Sequence, residues 1–390
     1  MRHPHHRAIA AAFVLHGVVT GSLVTRMPWI QDNLGLDPAM LGLALFCPPL
    51  GALLTMPTAG RLAHRLGART ALRVLLPLHC AALVLPALAP GLAGLCLVMF
   101  LLGAGAGAVD VVMNAQGVEV ERRIGRSVMA GLHGMWSVGN FAGAGVGVLA
   151  GHVGLDARVH HAVMAALLAA ATVPALRGVP AGRPAPGEQV PPRFALPSKA
   201  VLVIGLVGVC AMAAELSTMQ WAAIHTIAVT GASEAVGAGA YAAFAGSMML
   251  ARFAGDAIIA RLGPVRAVRC GAALATLGTA VVAAGRVPAV TLTGFALFGV
   301  GMAVVVPLVF AAAGNAGRDP ATGVAGVGTM TYLAGMAAPG VSGWLAEATS
   351  FPFLFWVFAV FTALIGLLAG ALRPAAAPRA VPVPVPAGKR

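Results

Sequence analysis

The chain has 390 residues, 59% of them hydrophobic and 9% charged, with a mean hydropathy of +0.89. A soluble domain carries roughly 25% charged residues, so this composition excludes one and describes a chain built for lipid. The formal net charge of +13 would suit a nucleic-acid binder, but the basic residues stand in short clusters between apolar runs, which excludes that reading.

Twelve segments are apolar over a length that can cross a bilayer, for which about 20 residues are needed. They lie near 8–29, 38–60, 71–89, 92–118, 130–151, 158–176, 200–228, 235–260, 270–285, 288–313, 323–346 and 351–372. Ala, Leu, Gly and Val dominate and period-2 alternation is absent, so a helical bundle is expected and a barrel is not. The first run has no small-residue cleavage site and is expected to be a retained helix. The His3-Pro4-His5-His6 start is read as a solvated terminus rather than a metal site.

Arg61, Arg65, Arg69 and Arg73 cluster after the second segment, and Arg122, Arg123 and Arg126 after the fourth. Arg177, Arg183, Arg193 and Lys199 follow the sixth, and Arg261, Arg266 and Arg269 the eighth. The alternate loops hold Arg158 and Arg286 and carry Asp32, Asp37, Asp156, Glu234 and Glu347. Positive-inside bias therefore places both termini in the cytoplasm of a multi-pass inner-membrane protein. Cys47, Cys80, Cys96, Cys210 and Cys270 form no C-x-x-C pair, so neither a disulfide framework, a metal nor another cofactor is expected. Residues 177–199, with Pro180, Pro184, Pro186, Pro191, Pro192 and Pro197, read as a cytoplasmic linker, and residues 374–390 as an extended, disordered tail.

An echo at a constant offset of 196 residues runs through the chain. Leu101–Gly105 aligns with Leu297–Gly301, Arg65-Leu66-Gly67 with Arg261-Leu262-Gly263, and Trp136–Gly139 with Tyr332–Gly335. A parallel duplication in so apolar a chain predicts an all-α membrane protein of two pseudo-symmetric six-helix bundles, residues 1–176 and 200–373. Gly103, Gly105 and Gly107 with Gly139, Gly143, Gly145, Gly147 and Gly151 read as small-residue packing faces. Neither a preceding strand nor a Walker lysine turns them into a nucleotide site.

The run Gly60-Arg61-Leu62-Ala63-His64-Arg65-Leu66-Gly67-Ala68-Arg69 resembles the loop signature of the major facilitator superfamily, typically Gly-x-Leu-Ala-Asp-Arg-x-Gly-x-Arg. Val109–Gln116 followed by Leu132–Ser137 resembles a bacterial subgroup near the fucose-type sugar permeases and drug exporters. His64 replaces the signature's acidic residue, so the resemblance assigns the corresponding ion pair to Asp256 and Arg261 in the second half. The antiporter Gly-Pro pair of the fifth helix reads Gly143-Ala144 here, a departure from the drug/proton antiporters.

Polar groups within the membrane each cost roughly 2.5 kcal/mol or more unless paired or wetted, so function is sought there. Glu215 near the middle of the seventh segment can carry a proton as access alternates, or make a buried hydrogen bond to a neighbouring helix. His16 lies at comparable depth in the first segment, and the resemblance implies that it could share a cavity with Glu215 or serve as a packing residue. Asp110 and Asn114 are four apart on one helical face, lining an inner cavity or locking to nearby arginines. His133, Trp136 and Asn140 share another face, Thr329, Tyr332 and Met336 a third, and Thr218 is a further cavity candidate. Arg252, with Tyr241 and Met248, is read either as an anchor for an acid or as a gate contact to Asp256. Arg26 is expected to pair with Asp32 or Asp37, or to meet an anionic substrate.

Together these readings predict a monomeric secondary transporter, not an enzyme, whose partners are lipid, protons and a neutral or weakly charged small molecule. Alternating access between two bundles is expected, coupled to protons through Glu215, His16 or Asp110. The alternatives are a proton-independent facilitator, a ligand sensor of the same fold, and an intramembrane enzyme, for which no H-E-x-x-H or G-x-S-x-G is present.

Overall fold

The computed structural model describes residues 3–36, 38–180, 199–232, 234–316 and 320–373. The first half comprises α1 (Pro4–Thr25), α2 (Met27–Leu34), α3 (Pro38–Leu66), α4 (Ala68–Ala82), α5 (Leu92–Ile124), α6 (Met129–His152) and α7 (Ala157–Ala175). The second comprises α8 (Lys199–Thr230), α9 (Glu234–Leu262), α10 (Pro264–Ala284), α11 (Pro288–Met302), α12 (Val305–Ala316), α13 (Pro320–Ala348) and α14 (Phe351–Leu368). The starts of α3 and α9, of α4 and α10, and of α5 and α11 each differ by 196 residues. So do the ends of α3 and α9 and of α6 and α13, and no strand occurs among the described residues. Two six-span bundles thus repeat one plan, as the sequence echo predicts.

Three expected segments are interrupted, each near a proline. The tenth breaks between Met302 and Val305 because Pro307 has no N–H for the carbonyl of Ala303. Val111, at the equivalent place in the first half, leaves α5 continuous over 33 residues. Likewise Pro28 starts α2 and separates it from α1, and Pro86 sits in a 3-10 turn that follows α4.

Among the described residues, ten helices are long and apolar enough to cross a membrane on their own composition. The two spans outside that set are α6 and α13, a symmetry-related pair rich in glycine and polar residues. Each packs one face closely, α6 against α1 and α13 against α8 and α3, while Phe141 and Trp344 on the other face are exposed. Close approach explains the glycines: a Cβ on Gly17 would strike the backbone of Trp136 and Asn140, and one on Gly139 or Gly143 the backbone of Val14 or Val18. Backbone contact of this kind replaces the hydrophobic driving force that lipid does not supply.

Gly67 (φ +77°) and Gly263 (φ +76°) occupy equivalent turns and place the starts of α4 and α10. Nothing lies within 4 Å of a Cβ built on Gly263, so backbone strain alone opposes substitution. Gly263→Ala is expected to cost about 1–3 kcal/mol. Gly246→Ala, helical and equally open, is expected to be neutral or stabilising. Thermal melting of the two variants beside the parent checks this.

The described residues leave out Asp37, linker residues 181–198 and the tail from residue 374, while Arg177 and Gly178 of the expected linker form a 3-10 turn and Lys199 already starts α8. The five cysteines are free.

Candidate functional site

A cavity of about 370 Å³ lies between the two halves. Its walls come from α1, α3, α5 and α6 on one side and α8, α9, α12 and α13 on the other. Of the residues singled out above, His16, Asp110, His133, Trp136, Asn140, Glu215, Arg252, Tyr332 and Met336 line it. Phe13, Met113, Met212, Met219 and Phe310 supply much of the apolar wall. A pocket of this size sits at the low end of the range used for small molecules.

Two polar networks cross the gap between the halves. In the first, Arg252 Nη2 lies 3.3 Å from Glu215 Oε1, and Arg252 Nη1 donates to Ser137 Oγ at 3.1 Å. The side chains of this pair are 8% and 12% exposed, so the charges meet almost without water. That arrangement corrects the expected contact of Arg252 with Asp256. Four residues on a helix can share a face, yet the buried carboxylate of Glu215 on α8 is the stronger partner for a buried guanidinium.

In the second network, Asn114 Nδ2 donates to Asp110 Oδ1 at 2.9 Å, and the Tyr332 hydroxyl reaches Asp110 Oδ2 at 3.5 Å. With its amide nitrogen given to Asp110, Asn114 turns its Oδ1 to His133 Nε2 at 3.2 Å. That contact needs a proton on His133 Nε2. The His133 ring packs between Phe13 and Phe310, with centroids 5.4 and 6.0 Å away. Asp110 therefore locks to Tyr332 of the other half and not to the loop arginines.

Other expected members are placed differently. His16 lines the cavity, but its ring nitrogens bond neither Glu215 nor any other described residue, and the ring packs on His79 at 5.1 Å. Thr218 is fully buried away from the cavity, as its absence from the lining shows, with its hydroxyl unpartnered among the described residues. Thr329 donates to the Ala325 carbonyl, and Thr331 stands at the cavity in its place. Tyr241 is 39% exposed and Met248 is packed in the core, so neither joins Arg252 at the cavity. Arg26 donates to the carbonyl of Leu155 and forms no ion pair with Asp32. Ser137 went unread in the sequence although it stands four residues after His133, a spacing that does share a helical face.

On the face that bears the termini, the halves are held together by backbone groups. Asp256 Oδ1 accepts from Ser127 Oγ at 3.1 Å and from the Ala130 N–H at 3.2 Å, and Oδ2 accepts from the Gly131 N–H at 2.9 Å. Hence the expected ion pair of Asp256 with Arg261 is replaced by a cap on α6, whose own N-cap residue, Val128, offers no side-chain acceptor. Glu121 takes the two preceding N–H groups, Val128 at 2.9 Å and Met129 at 3.3 Å. Arg122 adds bonds to Asn315 Oδ1 at 2.7 Å and the Gly314 carbonyl at 2.8 Å, again across the halves.

The loop signature divides by role. Gly60 is the symmetry mate of Asp256 and packs directly on the backbone of Ala321 at the start of α13. Arg69 donates to the Val179 carbonyl at 2.7 Å and Arg73 to that of Leu176 at 3.1 Å, fastening the loop to the end of the first half. Arg61 and Arg65 follow Gly60 on the same stretch of α3, and Arg261 occupies the position in α9 equivalent to Arg65.

Comparison with known proteins agrees with this architecture. Residues 9–338 match the family model of the Major Facilitator Superfamily. The uncharacterised transporter y4wD of Sinorhizobium fredii is 30% identical over 368 residues, covering 94% of this chain and 98% of that protein. An uncharacterised MFS-type transporter of Yersinia pestis is 32% identical over 368 residues, covering 93% and 94%. Among solved structures, the transporter FucP in its outward conformation superposes with a TM-score of 0.76 at 16% identity, covering 95% of this chain and 99% of that one. A bacterial homologue of the iron transporter ferroportin gives 0.77 at 15% identity, covering 94% and 98%. With its paired six-helix bundles and nearly full-length match, the chain is a multi-pass membrane transporter of the Major Facilitator Superfamily.

Proposed function

We propose that this transporter works by alternating access in the bacterial inner membrane, with both termini in the cytoplasm, and couples transport to protons through Glu215 and Asp110. One observation carries the reading: each buried carboxylate is tied across the gap between the halves, Glu215 through Arg252 to Ser137 and Asp110 to Tyr332. Protonation of Glu215 removes its charge and with it most of the attraction that holds Arg252 between α8 and α6. Protonation of Asp110 likewise exchanges an acceptor for a donor in front of Tyr332. Either change loosens a cross-half tie, so proton loading and the tilt of the halves are linked. Asp256 and Arg122 close the cytoplasmic side in this arrangement, which leaves the cavity to be loaded from the other side.

The cargo that suits the cavity is a small neutral or weakly charged molecule with both polar and apolar faces. Arg252 is already neutralised by Glu215, and methionine and aromatic side chains alternate with Asn140, Thr331 and His133 on the wall. Two proteins of the same fold are described as proton symporters of fucose and xylose, which makes neutral sugars the first panel to try.

The test uses proteoliposomes loaded with a pH-sensitive dye and challenged with a panel of neutral sugars, including L-fucose and D-xylose, organic acids and organic cations. Compounds that drive proton movement with the parent protein are then followed with Glu215→Gln. Counterflow is expected to survive while accumulation against a gradient is lost. Full concentrative transport with unchanged pH dependence in Glu215→Gln would sink the coupling role, and a parent that equilibrates cargo without moving protons is a facilitator.

A further inference from the structure

Away from the cavity, toward the face opposite the termini, polar side chains of α1 and α7 and the residue that follows α1 are gathered against α6. Ser22 and His161 are 0% exposed, His160 3% and Arg26 5%. Ser22 Oγ, Arg26 Nε, both ring nitrogens of His160 and Nδ1 of His161 have no hydrogen-bond partner among the described residues. The residues that carry these atoms are neighbours. His161 Nε2 lies 3.4 Å from the Ser22 carbonyl, and the two histidine rings are 5.3 Å apart. Thr25 and His160 both press on Gly147 of α6, and Arg26 Nη1 presses on Gly151 one turn further along.

A buried charge without a counter-charge costs several kcal/mol. Arg26 has the carbonyl of Leu155 as its partner, a dipole and not a charge, and no carboxylate pairs with it among the described residues. The remaining groups include three donors beside two ring nitrogens, one on each histidine, that accept in the neutral rings. His161 turns Nε2 to a carbonyl and so keeps its proton there, while Arg26 Nε–H, the Ser22 hydroxyl and one N–H of His160 are left over. A bound water would satisfy hydrogen bonds but would leave the guanidinium charge uncompensated. A guanidinium charge beside spare donors, with no carboxylate paired to it among the described residues, is the chemistry of an anion site. Gly147 and Gly151 bring α6 hard against Thr25 and Arg26, which leaves no room for an extended ligand.

We propose that Ser22, Arg26 and His160 bind a small inorganic anion of the chloride class, which ties the outer ends of α1, α6 and α7 together. The site is separate from the cavity and does not depend on what the cavity carries.

The experiment is thermal melting of the full-length protein in non-ionic detergent as sodium gluconate is replaced by sodium chloride or bromide at constant ionic strength. A saturable rise in Tm with both halides is expected for the parent. Arg26→Gln should abolish it, and Ser22→Ala and His160→Phe should each weaken half-saturation about tenfold. Arg286→Gln, a basic residue on the same face that bonds only carbonyls, should keep the parental response. If Arg26→Gln does not fold, the other two variants and an anomalous bromide peak beside Arg26 carry the test. Equal melting in gluconate and halide overturns the proposal, as does a halide response that persists unchanged in Ser22→Ala and His160→Phe.

Discussion

Replacing Gly139 by leucine is expected to prevent the first half from assembling. A Cβ there falls onto the backbone of Val14, 2.8 Å from its carbonyl carbon and 2.9 Å from its Cα, and neither can move without displacing α1 as a whole. The same seam holds Gly17, Gly21 and Gly143, so the helix cannot slide away from one contact without entering another. Overpacking a side chain against side chains costs typically 1–3 kcal/mol, and the cost rises where backbone opposes backbone. A loss above about 4 kcal/mol is expected, in the range reserved for severe core lesions. Gly145 lies in the same helix with nothing within 4 Å of a Cβ, so Gly145→Leu is expected to fold normally. Size-exclusion profiles and melting of the two variants settle the matter, and a well-folded Gly139→Leu would show that the seam yields.

Asp256→Ala is expected to open the cytoplasmic side. The substitution strips the cap from the N–H groups of Ala130 and Gly131 and from the Ser127 hydroxyl, all of which belong to the other half. Hydrogen bonds to a charged acceptor contribute about 1.5–3 kcal/mol each. Losing even one of them shifts a two-state balance by roughly ten- to hundredfold. Val118, fully buried and packed on Gly314 across the interface, reports the change. In a background lacking the native cysteines, Val118→Cys should react with a hydrophilic maleimide at least tenfold faster when Asp256 is alanine. Glu121→Ala supplies the contrast. It also frees two N–H groups of the α6 start, but from within the same half, so stability should fall without faster labelling. Equal acceleration in both variants would mean that Asp256 props α6 and does not latch the halves.

The architecture was legible because its determinants are local or repetitive. Run length marks a span, and a constant offset marks a duplication. Even the breaks at Pro28 and Pro307 stand in the sequence, since a missing N–H is a property of one residue. Site chemistry was half legible: an intramembrane Glu215 or Asp110 draws attention by its cost, and helical spacing put Asp110 beside Asn114. Partner choice was not. Arg252 and Asp256 are four apart, a spacing that lets them meet without requiring it, and each found its partner on another helix. Asp256 caps backbone N–H groups, which every residue but proline possesses, so no side-chain pattern could have named them. Thr218 sits one helical turn from Glu215, yet the packing around α8 turns it away from the cavity.

The low hydropathy of α6 and α13 also bears on how the protein is made. A helix enters the bilayer from the translocon when its own residues favour lipid, and these two, heavy in glycine and carrying His133, Asn140 or the Thr329–Thr331 pair, favour it least. Each has a glycine-lined or small-residue seat on an earlier helix, α1 for α6 and α8 for α13. Membrane insertion of the fifth and eleventh spans is then a docking event, dependent on a partner synthesised more than a hundred residues before. Biogenesis of each half would stall at the helix that builds one wall of its transport path.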